Sequence, residues 1–296
     1  MISDKKFVII DAPAVLHRAW HALPRLTDPR GRAISAVYGF ASLLFKLLRE
    51  YQPKYIATAF DTPAPTFRHQ EYKEYKATRI PQPKEFYDQI PVTKELLKIL
   101  EIPVLEKDGY EADDFIGTLT KISPASNLIV TGDLDTLQLI NPNTAVYFLR
   151  QGISEIKVYD QKAVEERYGL KPEQLIDYKA LRGDPSDNIP GVRGIGEKTA
   201  LSLIQKFGSL EKIYENIEEL SATTKKLLLE QKEMAFLSKK LVTIKSDLDL
   251  VQELEKYQFK KINQEKVKEF LQKLGFKSLI QRLEKDTLKT QQRALF

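Results

Sequence analysis

Aspartates recur in this chain where hydrophobic runs stop. Asp11 follows FVII, Asp61 follows YIATAF, and Asp133 and Asp135 follow LIVTG; GYEADD adds Glu111, Asp113 and Asp114, and GDPSDN adds Asp184 and Asp187. A single Asp at a strand end or helix start is ordinarily a cap or turn residue, its oxygen taking up a free backbone N–H. The set is harder to explain that way. Adjacent acids such as Asp113 and Asp114, and the Asp-Leu-Asp of 133–135, repel one another unless a cation offsets them. These nine carboxylates can hold two hard cations through oxygen ligands with places left for water and phosphate oxygens, which favours magnesium or manganese. Two such ions account for phosphodiester hydrolysis without a side-chain nucleophile: one lowers the pKa of a water aimed at phosphorus, the other stabilises the departing oxygen. With no cysteines and three histidines, a thiolate metal site and a disulfide framework are excluded. His17, His21 and His69 read as structural rather than as general bases.

The basic residues gather elsewhere. Between Pro63 and Pro91, Arg68, Lys73, Lys76 and Arg79 alternate with Phe67, Tyr72 and Tyr75, a mixture that offers phosphate contacts and stacking surfaces for unpaired bases. The bland alternative is a solvated charged helix, with Glu71 and Glu74 pairing to their neighbours. A second segment, GVRGIGEKTA at 191–200, contains G-x-G before a helix. It lacks the hydrophobic strand that a dinucleotide-binding turn requires. A hairpin between two helices fits better, with Gly194 and Gly196 exposing backbone N–H groups and Arg193 and Lys198 beside them to grip a DNA phosphate without reading sequence. An ordinary glycine-rich turn is the plain alternative.

The elements that must bring these groups together follow from periodicity. Phe7–Ile10, Tyr55–Phe60 and Leu128–Thr131 read as strands, and Val146–Leu149 with Ile156–Tyr159 as a further pair. Val37, Ala41, Leu44 and Leu48, and then Val92, Leu96, Leu97 and Leu100, recur at helical spacing. The first half is therefore expected to be α/β, a mostly parallel central sheet flanked by helices, and ligands of such sheets collect outside the carboxyl ends of the strands. From about Asp160 the pattern turns helical, with Ser209 and Asn263 as N-caps and Gly208 and Gly275 as stops. The expected division is a core over 1–180, with an exposed insertion at about 63–91, and a helical DNA-binding region over 181–285. Residues 286–296 read as a flexible tail.

At 296 residues and 42% hydrophobic content the chain can bury a substantial core, and a net charge of +5 suits a polyanionic partner without requiring one. No apolar segment is long enough to cross a bilayer and no cleavable leader is visible, so a soluble cytoplasmic protein with no membrane partner is expected.

In order and spacing, FDTPAPTFRHQEYKEYKATR, GYEADD, TGDLD and GDPSDNIPGVRGIGEKTA resemble the 5′ nuclease family, which includes the N-terminal 5′→3′ exonuclease domain of bacterial DNA polymerase I and free-standing flap endonucleases. The resemblance runs from about residue 5 to 285. It implies a PIN-like 5′ nuclease core in which Asp11, Asp61, Glu111, Asp113 and Asp114 surround one metal and Asp133, Asp135, Asp184 and Asp187 the other. It places Lys76 and Arg79 in a helical arch against the scissile phosphate, Tyr75 stacked near the cleaved end, and Arg68 at the entrance. Residues 184–215 would form a helix–hairpin–helix that binds duplex DNA and holds potassium. The implied activity is removal of 5′ flaps, nicked ends or RNA-primed junctions in replication and repair, by a bacterial, nucleoid-associated monomer. One departure is Ala12-Pro13 after the first Asp, where relatives commonly have Gly. No polymerase sequence follows residue 296, so the chain reads as a free-standing nuclease or an excised domain. Its last residues, with Gln292, Leu295 and Phe296, resemble the peptide that docks bacterial replication proteins on the sliding clamp. The competing readings are a junction-binding protein that does not cut and a PIN-type ribonuclease.

Overall fold

The computed structural model describes residues 6–250, 253–260 and 262–293. In chain order the α/β part comprises β1 (Lys6–Asp11), α1 (Ala12–Ala22), α2 (Ser35–Tyr51), β2 (Tyr55–Ala59), α3 (Phe67–Glu71), α4 (Lys84–Tyr87), α5 (Gln89–Ile99), β3 (Val104–Leu105), α6 (Ala112–Ile122), β4 (Ser126–Thr131), β5 (Thr144–Gln151) and β6 (Glu155–Tyr159). Helices follow: α7 (Gln161–Tyr168), α8 (Gln174–Arg182), α9 (Glu197–Phe207), α10 (Leu210–Glu215), α11 (Ala222–Glu230), α12 (Lys232–Val242), α13 (Gln264–Lys273) and α14 (Lys277–Arg293).

The six strands form one sheet in the order β3-β2-β1-β4-β5-β6, parallel throughout except for β6, which returns antiparallel beside β5. β1 is apolar at every position from Phe7 to Ile10 because both faces of the sheet are covered, as a parallel sheet requires. Phe7 and Ile9 point into one core with Phe115, Ile116 and Leu119 of α6 and with α8 and α9. Val8 and Ile10 point into the other, with Val15 and Leu16 of α1, Val37, Phe40 and Leu44 of α2 and Leu96 and Leu97 of α5. Every sheet strand expected from sequence is present; β3, only two residues long, is the addition.

Three regions differ from expectation. Residues 63–91 do not form a helical arch: α3 ends at Glu71, residues 73–78 are turns, and Pro81 and Pro83, which lack N–H donors, precede the short α4. The 181–285 region is not one packed unit, since α13 joins the α2–α5 side of the sheet through Val267, Phe270 and Leu271. Phe259 N donates to Lys54 O at 2.9 Å as the chain crosses the foot of β2 on the way. Helix α14 continues to Arg293 where a tail was expected; Leu295 and Phe296 lie outside the described residues.

Candidate metal centre and DNA-binding surface

The parallel strands deliver their acids to one edge of the sheet. Asp11 closes β1 and caps α1, accepting from Ala14 N at 3.0 Å and from Thr131 Oγ1 at 2.5 Å. Thr131, the last residue of β4, also accepts from Asp133 N at 2.9 Å, so one hydroxyl ties the ends of two strands together. Asp133 in turn caps the 3-10 helix Leu134–Leu139 by accepting from Asp135 N. Past β2, Asp61 accepts from Ala112 N at the start of α6, 2.7 Å away. Asp11, Asp61, Glu111, Asp113 and Asp133 line one cleft of about 510 Å³ with Lys76 and Arg79. Asp133, Asp135 and Asp184 line a neighbouring one of about 450 Å³ with Lys179 and Tyr178.

Electrostatically this edge is strained. Burial, opposed by the hydrogen bonds from Thr131 and Ala14 and assisted by the charges of Asp133 and Asp61, pushes Asp11 up to about 7. Burial and then Asp133 push Asp135 to about 7 in spite of Lys179, and burial followed by Asp133 and Asp11 raises Asp113 well above the carboxylate range. Among the described residues no three of these acids converge on one ion-sized position. Protein cations sit between them instead. Lys76 Nζ lies 2.6 Å from Glu111 Oε1 and 3.8 Å from Asp187, Arg79 pairs with Asp187, and Lys179 Nζ bridges Asp135 and Asp184, 2.6 Å from the latter. Burial disfavours the Asp184 charge, but Lys179 outweighs it and holds the carboxyl below its usual value. The donor set, all oxygen and with negative charge incompletely offset, fits hard divalent cations; loading them requires Lys76, Arg79 and Lys179 to yield their carboxylates.

Four of the residues singled out in the sequence are engaged within the protein. Arg68, expected at a DNA entrance, is 2% exposed. Its guanidinium meets Asp114 at 2.8 and 2.9 Å and Glu111 at 3.2 Å, and donates to the carbonyls of Leu241 and Thr243, both at 3.0 Å. Asp114, expected as a metal ligand, has both oxygens engaged, by Arg68 and by the backbone N–H groups of Glu111 and Lys245. Tyr75, expected to stack on a base, is 3% exposed and donates its hydroxyl to Glu111 and Asp187, both at 3.1 Å. Tyr72 packs beside it against a small cluster of Ile189, Leu241 and Val242 and donates to Glu74 at 2.8 Å. Lys76 and Arg79 lie over the carboxylates, Lys76 N donating to Asp187 O at 2.9 Å. Thr131 and Lys179 escaped the sequence reading: Thr131 opens the TGDLD motif but its bond to Asp11 spans 120 residues, and Lys179 precedes GDPSDN, with nothing in the sequence to show that it also reaches Asp135, 44 residues away.

The hairpin expected between two helices joins α8 to α9. Gly191 takes φ +64°, and a Cβ there would lie 2.2 Å from Gly183 N, so only glycine lets the two arms close. Gly194 has φ +91° and Gly196 is the N-cap of α9. Gln231 pins the turn from α11–α12, accepting from Arg193 N at 2.8 Å and donating to its carbonyl at 3.0 Å. Arg193 and Lys198 are exposed and form no ion pair among the described residues. No described helix is long and apolar enough to cross a membrane.

Comparison with known proteins agrees with this architecture. The model of a "5′-3′ exonuclease, N-terminal resolvase-like domain" matches residues 6–169, and that of a "5′-3′ exonuclease, C-terminal SAM fold" matches 170–265. DNA polymerase I of Bacillus caldotenax is 42% identical over 284 residues, 95% of this chain, and that of Bacillus subtilis 41% over 296 residues, 99% of it. The chain spans about a third of those polymerases' length, 32% and 34%. Among solved structures, T5 5′-exonuclease with bound zinc superposes with a TM-score of 0.68 at 21% identity, covering 96% of this chain and 99% of that one. The catalytic core of Rad2 in complex with DNA gives 0.58 at 16%, covering 92% and 87%. At those identities the two structures speak for the fold alone. From the first strand to the helices beyond the hairpin, this chain belongs to the 5′-3′ exonuclease family.

Proposed function

We propose that this chain hydrolyses phosphodiester bonds of DNA from the 5′ side, as an exonuclease and flap endonuclease, with magnesium or manganese held by Asp11, Asp61, Glu111 and Asp113 on one side and Asp133, Asp135, Asp184 and Asp187 on the other. The observation that carries it is the buried carboxylate edge, where burial, with the neighbouring carboxylates adding to it, pushes Asp11 and Asp135 up to about 7. When bound, divalent ions supply Lewis acidity at the scissile phosphate and a water of lowered pKa. The protein's own part is positioning. Thr131 locks Asp11 to the Asp133 turn, Arg68 and Asp114 hold the Glu111 end of α6, and Lys76 and Arg79, once released from Glu111 and Asp187, are the cations nearest to accept a phosphate.

Duplex DNA in this reading rests on the 191–198 hairpin, where exposed Arg193 and Lys198 and the N–H groups at Gly194 and Gly196 meet backbone phosphates. Potassium bound by hairpin carbonyls follows from the family resemblance, and exchange of potassium for lithium then weakens duplex binding. A clamp contact through Gln292, Leu295 and Phe296 belongs to the same proposal; deletion of the last two residues abolishes it. The discriminating experiment digests matched 5′-flap substrates made of DNA or of RNA, with magnesium or with EDTA. Metal-dependent cutting of the DNA flap supports the proposal; preferential cutting of the RNA moves the chain to the ribonuclease reading, and tight binding with no cutting to the junction-binding one.

A further inference from the structure

The motif GDPSDN ends on a residue that is not an acid and has no place in the metal set. Asn188 stands at φ +56° and donates its side-chain amide to the carbonyl of Glu74, 2.7 Å away and 114 residues back along the chain. On the other side of this contact Lys76 stands at φ +55°. Two of the four non-glycine residues with positive φ among the described residues thus flank one hydrogen bond, and such backbone persists only where its surroundings hold it. The turns of 73–78 meet the 184–189 loop at two further points: Lys76 N donates to Asp187 O at 2.9 Å, and Tyr75 packs on Ile189. That loop is itself closed, Asp184 and Ile189 exchanging both backbone bonds at 2.9 Å, and at its base Gly191 lies against Gly183 while Val192 N donates to Leu181 O at 2.8 Å. A short, bonded path therefore joins the glycine turn at 191–196 to the segment that carries Lys76 and Arg79.

The ion pairs between the two segments cannot be what positions these cations during cutting. Lys76 and Arg79 have to leave Glu111 and Asp187 before those carboxylates take up divalent ions. The neutral bonds meet no such conflict, since the amide of Asn188 and the carbonyl of Glu74 are no part of the carboxylate set and need not separate. We infer that Asn188 is a positioning residue for DNA cleavage: its amide registers residues 74–79 against the hairpin, so that Lys76 and Arg79 stay over the cleft when their carboxylates are given up. This rests on the reading of Lys76 and Arg79 as cations for the scissile phosphate and of 191–198 as the duplex contact. A duplex seated on the hairpin then fixes, through Asn188, where the two cations stand.

The test uses Asn188→Gly, which keeps the positive φ and removes the amide, and Asn188→Asp, which tolerates the same φ but sets a carboxylate against the Glu74 carbonyl. On a 5′ DNA flap in magnesium, kcat is expected to fall about tenfold in either variant, the scale of one lost hydrogen bond, while KM stays within about twofold. In a Lys76→Ala/Arg79→Ala background, read in single turnovers, Asn188→Gly should cost less than about twofold further, because it acts through groups already gone. A full repeat of its loss in that background overturns the inference. So does an unchanged kcat in both variants, or a KM that rises at constant kcat, which would place Asn188 among the DNA contacts. A second readout needs no cleavage of DNA. Trypsin cuts after Lys73, Lys76 and Arg79, and in EDTA its first cut there is expected about tenfold faster in Asn188→Gly than in the wild type at an equal melting temperature. Equal trypsin rates overturn the inference; if Asn188→Gly melts early, Asn188→Asp takes its place in both measurements. If nothing is cut in magnesium, the reading of the carboxylates fails separately, and the trypsin ratio alone decides whether Asn188 holds the segment.

Discussion

Arg68 lies in a run of basic and aromatic residues, and only its tertiary partners set it apart from them. Sequence places it at the entrance of an arch, since Glu111 and Asp114, which it pairs with, are 43 and 46 residues away and Leu241 and Thr243, whose carbonyls it bridges, 173 and 175. A guanidinium buried against Asp114 cannot be removed without leaving an interior carboxylate with no counter-charge of its own, held only by the N–H groups of Glu111 and Lys245. Arg68→Gln is therefore expected to lower the unfolding free energy by about 3–5 kcal/mol, read by urea denaturation, and Arg68→Gln/Asp114→Asn to lose less than the sum of the two single changes. Weakened DNA binding at unchanged stability would restore the entrance role. The raised carboxylates set a second expectation. Burial and the neighbouring carboxylates push Asp11 and Asp135 up to about 7, against about 4 in the unfolded chain, so between those values the native state binds more protons than the unfolded one. Stability in EDTA then falls as pH rises through that window. The melting temperature should be higher at pH 5.5 than at pH 8, with magnesium restoring part of the difference at pH 8; a melting temperature that rises with pH in EDTA contradicts the charge account.

At the scale of elements, the strands and their terminal acids were legible because a parallel strand buried on both faces is a continuous apolar run, and its end is marked by the first polar residue. The arch was not. Its basic residues predict an exposed helix only if nothing competes for them; here Tyr75 is drawn into a cluster with Ile189 and Leu241, and Lys76, at φ +55°, turns the chain down onto Asp187. β3 is too short for any period to reveal. The hairpin was legible from its glycines, and two of them separate structure from contact. Gly191→Ala forces a Cβ to 2.2 Å from Gly183 N at a positive φ and should cost about 2 kcal/mol or more. Gly196→Ala meets no atom within 4 Å and should cost about 1 kcal/mol or less, the loss of a glycine N-cap, yet weaken duplex binding by crowding the phosphate. Equal binding by Gly196→Ala and wild type in an anisotropy titration would remove the hairpin from the DNA surface. Helix α8 offers a third case: Lys179→Met vacates the bridge between Asp135 and Asp184, so manganese binding followed by calorimetry should tighten by about tenfold. Unchanged affinity would show that Lys179 does not compete with the ion.

Across the whole molecule, the order of the motifs along the chain anticipated the family and the mixed fold, since each acid follows an element whose direction the sheet topology dictates. What composition could not convey is which face a helix covers. The amphipathic pattern of α13 says that Val267, Phe270 and Leu271 are buried, and only the crossing at Lys54 and Phe259 carries them to the α2–α5 side. The acids at the ends of β1, β2 and β4, at the start of α6 and in the α8–α9 connection arrive at one edge from five separate parts of the chain, so the central claim is that this edge, loaded with divalent ions, cuts DNA. Its most direct test is cleavage of a 5′-labelled DNA flap in magnesium, by the wild type and by Asp135→Asn/Asp184→Asn, with flap affinity measured beside it. The account predicts cutting near the junction by the wild type, none in EDTA, and a loss of at least about a hundredfold in the variant while flap binding is retained. Cutting in EDTA, or a variant that cuts at the wild-type rate, would contradict it.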